Sequence, residues 1–160
     1  AVCNVGTACI EQVRLPDRIS WTGASDAFFH GSACGGHEEG SAWVVPAQHD
    51  TCWAQYGPYM NNLASGRYVV GFKVYALGQG AYATFDVARN AGSVIKTTGK
   101  VKVAGGANRC ITVGPVWLGT CENLEFRIRY NSAPWYETAH TLKVLATAVV
   151  PEGMNPCAAF

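Results

Sequence analysis

The feature that most restricts the fold is an alternation of apolar and polar residues with a period of two. It recurs along the chain, and no apolar stripe with a 3.6-residue period competes with it. Over residues 68–77, Tyr68, Val70, Phe72, Val74 and Ala76 fall on one side, and Val69, Gly71, Lys73, Tyr75 and Leu77 on the other. Over residues 124–130 the pattern is cleaner still: Leu124, Phe126, Ile128 and Tyr130 alternate with Glu125, Arg127 and Arg129. Successive strand residues point to opposite faces, so each segment reads as a strand with one face in a core. Further strands are predicted over 9–15, 41–45, 52–60, 83–87, 93–103, 110–118 and 141–150, with Leu142, Val144, Ala146 and Ala148 sharing a face in the last. About nine strands separated by turn residues predict an all-β antiparallel sandwich of the jelly-roll kind. Residues 16–40, with five glycines, read as one long loop, and His37-Glu38-Glu39 within it as a solvated turn.

The 160 residues suit one domain spanning 1–160, and 49% hydrophobic residues allow a substantial core. Only 14% are charged and the net charge is +1, which provides no field to steer the chain towards nucleic acid. No apolar run approaches the roughly 18 residues of a membrane helix. The chain opens Ala1-Val2-Cys3, consistent with a processed end.

Seven cysteines, none in a C-x-x-C pair, point to disulfides rather than a metal cluster, and so to a secreted or periplasmic protein. Cys34 and Cys52 bracket one strand, and Cys110 and Cys121 another; either pair would close a short loop. Cys157 is expected to reach Cys3 or Cys9, tying together irregular termini over 1–9 and 151–160. One cysteine is left over.

No catalytic constellation emerges. His37-Glu38-Glu39 lacks the H-E-x-x-H spacing, and neither Gly40-Ser41-Ala42 nor Ala64-Ser65-Gly66 makes G-x-S-x-G. The aromatic residues say more. Tyr68, Phe72, Phe85 and Phe126 belong to predicted core faces, whereas Trp21, Phe28, Phe29, Trp135 and Tyr136 lie in predicted loops, as lids or as exposed platforms. If successive strands reverse direction, the loops at 46–52, 78–81, 104–109 and 131–139 share one end of the sandwich. That end gathers His49, Asp50, Gln79, Asn108, Arg109, Asn131, Trp135 and Tyr136. Aromatic faces stack on sugar rings while polar groups bind hydroxyls. Trp135 and Tyr136 are therefore the candidate platform, with His49, Asp50, Asn108 and Arg109 as hydroxyl ligands.

Four segments, Tyr56-Gly57-Pro58-Tyr59, Leu63-x-x-Gly66-x-Tyr68, Asp86-Val87-Ala88 and Leu124-Glu125-Phe126-Arg127, carry a resemblance. In that order, over about residues 41–150, the chain resembles the galactose-binding-like β-sandwiches of carbohydrate-binding modules. The resemblance implies a jelly roll, saccharide binding by loops and, as often in such modules, a structural calcium. In related modules a pair of glutamates on the first strand helps hold that ion; here Glu11 is followed by Gln12. The expectation is thus a non-catalytic, extracellular binder of a glycan or polysaccharide. A structural or adhesive module that docks a protein or self-assembles is the alternative, and a small hydrolase or lyase on the same scaffold a third.

Overall fold

The computed structural model describes residues 18–158. Among them are eleven strands and one short 3-10 turn, Ser32–Cys34. The strands are β1 (Ile19–Thr22), β2 (His37–Glu39), β3 (Ala42–Val45), β4 (Cys52–Gln55), β5 (Pro58–Met60), β6 (Gly66–Ala76), β7 (Ala81–Arg89), β8 (Ser93–Val103), β9 (Asn108–Leu118), β10 (Leu124–Asn131) and β11 (Leu142–Pro151). They form two antiparallel sheets. The first runs β2-β3-β11-β6-β9, with β1 on β11; the second runs β4-β10-β7-β8, with β5 on β10. The protein is an all-β sandwich, as the alternation requires.

The core lies between the inner faces of the sheets. Phe72, Val70 and Val74 of β6 meet Phe85 and Val87 of β7 and Phe126 and Ile128 of β10, all fully buried. Phe72 and Phe85 touch across the interface with ring centroids 5.3 Å apart. Gln55 is also buried there; its Nε2 donates to the Phe126 carbonyl and to Thr147 Oγ1, both at 3.0 Å. That polar bridge joins the second sheet to β11 of the first.

Among the described residues eleven strands stand where eight of the nine expected ones fall, because three elements are too short to show a period. The stretch read as one strand over 52–60 is two, β4 and β5, laid end to end on β10. The 16–40 loop contains β1 and β2, so His37-Glu38-Glu39 is an exposed strand rather than a turn. The strand predicted over 9–15 lies outside the described residues. One face assignment also changes. A bulge between Val144 and Ala146 shifts the β11 register against β6. A one-residue slip turns the following side chains over. Thr147 and Val149 therefore face inward, and Ala146 and Ala148 do not share the face of Leu142 and Val144.

The disulfides follow the tertiary fold rather than the shortest loop. Cys34 pairs with Cys52, as expected, with Cα atoms 5.4 Å apart. Cys110 does not pair with Cys121, nor Cys157 with Cys3 or Cys9: Cys110 on β9 is bonded to Cys157. The reason lies at Gly71 on β6. A Cβ there would come within 2.7 Å of Pro156 and 3.3 Å of the Cys157 sulfur, so the missing side chain lets the C-terminal segment lie flat on the sheet. Cys121 is itself disulfide-bonded.

Candidate saccharide-binding site

The register sets the site. Leu142 pairs with both Val45 and Ala76, and Tyr75 with Asn108. The loops after β3, β6, β8 and β10 therefore lie at one end of the sandwich. They are stitched together there. Tyr130 Oη donates to the His140 carbonyl at 2.8 Å and bonds the Gln48 backbone, and the Leu77 amide donates to the Thr141 carbonyl at 3.0 Å.

Trp135 and Tyr136 stand out from that end. They are 88% and 72% exposed and meet edge to face, with centroids 5.7 Å apart. Large aromatic side chains are seldom left this open. Beside Tyr136 is a cleft of about 360 Å³ walled by Gln79, Lys102, Glu137 and His140. Gly78 is part of the wall, at φ 57°, and a Cβ on it would run into the His140 ring. Glu137 is braced from below: its Oε2 accepts from Tyr82 Oη at 2.7 Å, and its Oε1 lies 3.9 Å from Lys102 Nζ. The bond to Glu137 pushes the Tyr82 hydroxyl above its ordinary pKa, so it stays a donor. Lys100 and Lys102 both sit over the Tyr82 ring, 5.2 and 5.4 Å from its centroid.

The other expected ligands are not part of this wall. His49 and Asp50 are exposed in the loop after β3. Asn108 and Arg109 line a separate hollow with Lys73 and Cys157, and Arg109 Nε donates to the Ala104 carbonyl at 3.3 Å. Both residues open β9, the last strand in the first sheet's order, next to the Cys110–Cys157 bond and away from the β10–β11 loop that carries Trp135 and Tyr136. Of the other loop aromatics, Phe28 is buried and Trp21 packs on Phe28 and Phe126, so both are lids.

A second cleft, of about 460 Å³, lies on the outer face of the second sheet. Trp53, Tyr56, Tyr59, Glu125 and Arg127 line it. The Arg127 and Arg129 guanidiniums lie 4.5 and 5.2 Å from the Trp53 ring centroid. Arg127 is held by Asp86 through two bonds, Nε to Oδ1 at 2.7 Å and Nη2 to Oδ2 at 3.0 Å. Burial alone would lower its pKa, but the Asp86 carboxylate outweighs that and raises it, so the cation is permanent. Glu125 is buried and accepts from the Gly57 amide at 3.2 Å. Tyr59 is 42% exposed and sits at φ 64°, a left-handed conformation that costs a bulky residue about 1–3 kcal/mol. Burial and the neighbouring Glu125 carboxylate raise its pKa. Phe29 stacks on Tyr56 at 5.5 Å and leans on Tyr59 at 5.7 Å, completing an aromatic wall.

This cleft escapes a reading by segments because its residues come from three strands and several of the segments that connect strands. The signal was nonetheless present: Glu125, Arg127 and Arg129 form the outward row of the clearest alternation in the chain. Among the described residues, no group of three or more His, Cys, Asp or Glu side chains converges on a metal site. The glutamate–glutamine pair relevant to calcium lies outside them.

A two-sheet sandwich with ligand-sized hollows at its loop end and on one sheet face can be compared with known folds. It superposes on the CBM36-1 domain of a multidomain xylanase from the hindgut metagenome of Trinervitermes trinervoides, with a TM-score of 0.54 and 12% identity over 86% of this chain and 99% of that one. The fold is that of carbohydrate-binding modules. A mutant of a family 29 carbohydrate-binding module superposes similarly, with a TM-score of 0.52 and 10% identity over 88% of this chain and 99% of that one. No protein-family model matches the sequence, and no curated protein does either. The carbohydrate-binding-module fold was thus legible in short motifs and in topology although overall identity is very low. Among the described residues, no helix is long and apolar enough to cross a membrane.

Proposed function

We propose that this protein is a non-catalytic, extracellular carbohydrate-binding module. Its ligand is a glycan or polysaccharide, held at the loop end of the sandwich. The observation that carries the reading is the Trp135–Tyr136 pair, almost fully exposed beside a cleft whose rim offers an amide, an ammonium, a carboxylate and an imidazole. Rings of that kind offer apolar faces to a pyranose, and the rim groups reach its hydroxyls. His49, Asp50, Asn108 and Arg109 flank this end and would contact outlying parts of a larger glycan. The xylanase module and the family 29 module that share the fold support the same reading. Disulfides such as Cys34–Cys52 and Cys110–Cys157 fit an oxidising, extracellular setting.

A glycan array followed by titration calorimetry tests this. The wild type is expected to retain a defined set of glycans, and the Trp135→Ala/Tyr136→Ala double variant to lose them at unchanged thermal stability, because both side chains lie in solvent. Full retention by the double variant, or an empty array for the wild type, refutes the proposal.

A further inference from the structure

We infer that the two clefts are the ends of one groove, and that the groove takes an internal stretch of an extended, ribbon-like polysaccharide rather than a chain end. The inference rests on the carbohydrate-binding reading and specifies its ligand. The argument begins with parity. On β7, Ala83, Phe85 and Val87 point into the core, so Tyr82, Thr84 and Asp86 point out. On β10, Phe126, Ile128 and Tyr130 point in, so Glu125, Arg127, Arg129 and Asn131 point out. The two outward rows stand side by side in unbroken register from Glu125↔Ala88 to Asn131↔Tyr82. Six residue steps at about 3.3 Å give a floor about 20 Å long.

Each end of the floor opens into a cleft already described. Tyr82 bonds Glu137 and lies under Lys102, both in the wall of the loop-end cleft. Arg127 and Glu125 line the sheet-face cleft. Between them the floor is polar: Thr84 Oγ1 donates to Asn131 Oδ1 at 2.8 Å, and Arg129 is exposed beside them. Aromatic rings therefore mark both ends, Tyr136 at one and Tyr59, beside the Glu125–Pro58 pair, at the other, while Trp53 lies along the floor opposite Arg129 among the hydrogen-bonding groups. A floor of unbroken register suits a chain whose rings follow one another without coiling. Arg127 contributes to it directly, because Asp86 takes its Nε and Nη2 and leaves Nη1 outside the pair. Tyr59 is held in its left-handed conformation at the far end, where its ring closes the aromatic wall.

Calorimetry with β-1,4-linked xylo- and cello-oligosaccharide ladders, run alongside the polysaccharides retained on the array, tests this. Affinity is expected to climb about 100-fold or more from the disaccharide to the chain that spans both clefts and then level off, because the second contact becomes intramolecular. One chain should bind per protein. Tyr136→Ala at one end and Tyr59→Ala at the other should each abolish the climb. Trp53→Ala, opposite Arg129 along the floor, gives a second probe of the sheet-face cleft should Tyr59→Ala fold poorly. Equal affinity for short and long chains, two chains bound per protein, or a climb that survives loss of either end overturns the single groove while leaving carbohydrate binding intact. Binding of no glycan at any length refutes both.

Discussion

The Asp86–Arg127 pair offers the sharpest energetic test, because it lies in the floor of the proposed groove and its cost can be worked from geometry. The two bonds of 2.7 and 3.0 Å are bidentate, and the side chains are only 8% and 11% exposed. Removing one partner strands a charge in a site that water scarcely reaches, which costs about 3 kcal/mol. Asp86→Ala and Arg127→Met should each show a loss of that size. Arg127→Met also gives up the stacking on Trp53, about 0.5–1 kcal/mol. The double variant strands no charge, so its cost should stay near that of one single variant, a coupling of about 2–3 kcal/mol. The Arg67–Glu152 pair is an internal control. Its 2.8 Å separation is comparable, yet its side chains are 52% and 46% exposed. Glu152→Gln should therefore cost less than about 1 kcal/mol. Urea unfolding with the disulfides intact measures all four variants, provided the slopes remain equal. Additive single effects at Asp86 and Arg127, or a loss at Glu152 as large as theirs, would refute the argument from burial.

Three further outcomes follow from the same structure. Replacing both Cys34 and Cys52 by serine opens a loop with a sequence separation of 18 and should lower stability by about 3 kcal/mol, read from denaturant midpoints. His30 stacks flat on Trp43 at 3.7 Å, with Nδ1 2.7 Å from the Ala54 carbonyl, and burial lowers its pKa. The unfolded chain then takes up a proton near pH 6.5 that the folded chain refuses, so stability should fall as pH drops below about 6.5 and level off below the folded value. His30→Phe should flatten that part of the pH profile. Tyr130→Phe removes the hydroxyl that ties the Gln48 and His140 backbones together, costing about 1 kcal/mol and loosening the loop-end cleft, visible as faster amide exchange at 132–141.

What the sequence determined by itself is the part carried by local periodicity. The inward rows of β6 and β10 were readable because a strand repeats every two residues, so a run of six or seven residues declares its own faces. The same logic exposed the sandwich class and the loops that share one end, since antiparallel strands must return. Trp135 and Tyr136 could be singled out as loop aromatics, but not as exposed ones. Only the tertiary structure decided that, because Trp21 and Phe28 belong to a stretch that also reads as a loop, yet Trp21 lies in β1 and both pack onto the core as lids. It also decided the Cys110–Cys157 bond, which depends on a glycine 39 positions before Cys110 in the chain but adjacent in space. The bulge that turns Ala146 and Ala148 over arises from pairing with β6 and leaves no local mark. The sheet-face cleft and the groove floor likewise exist only once β4, β5, β7 and β10 lie side by side. Their residues interact across strands, at separations that a period of two along one strand does not encode.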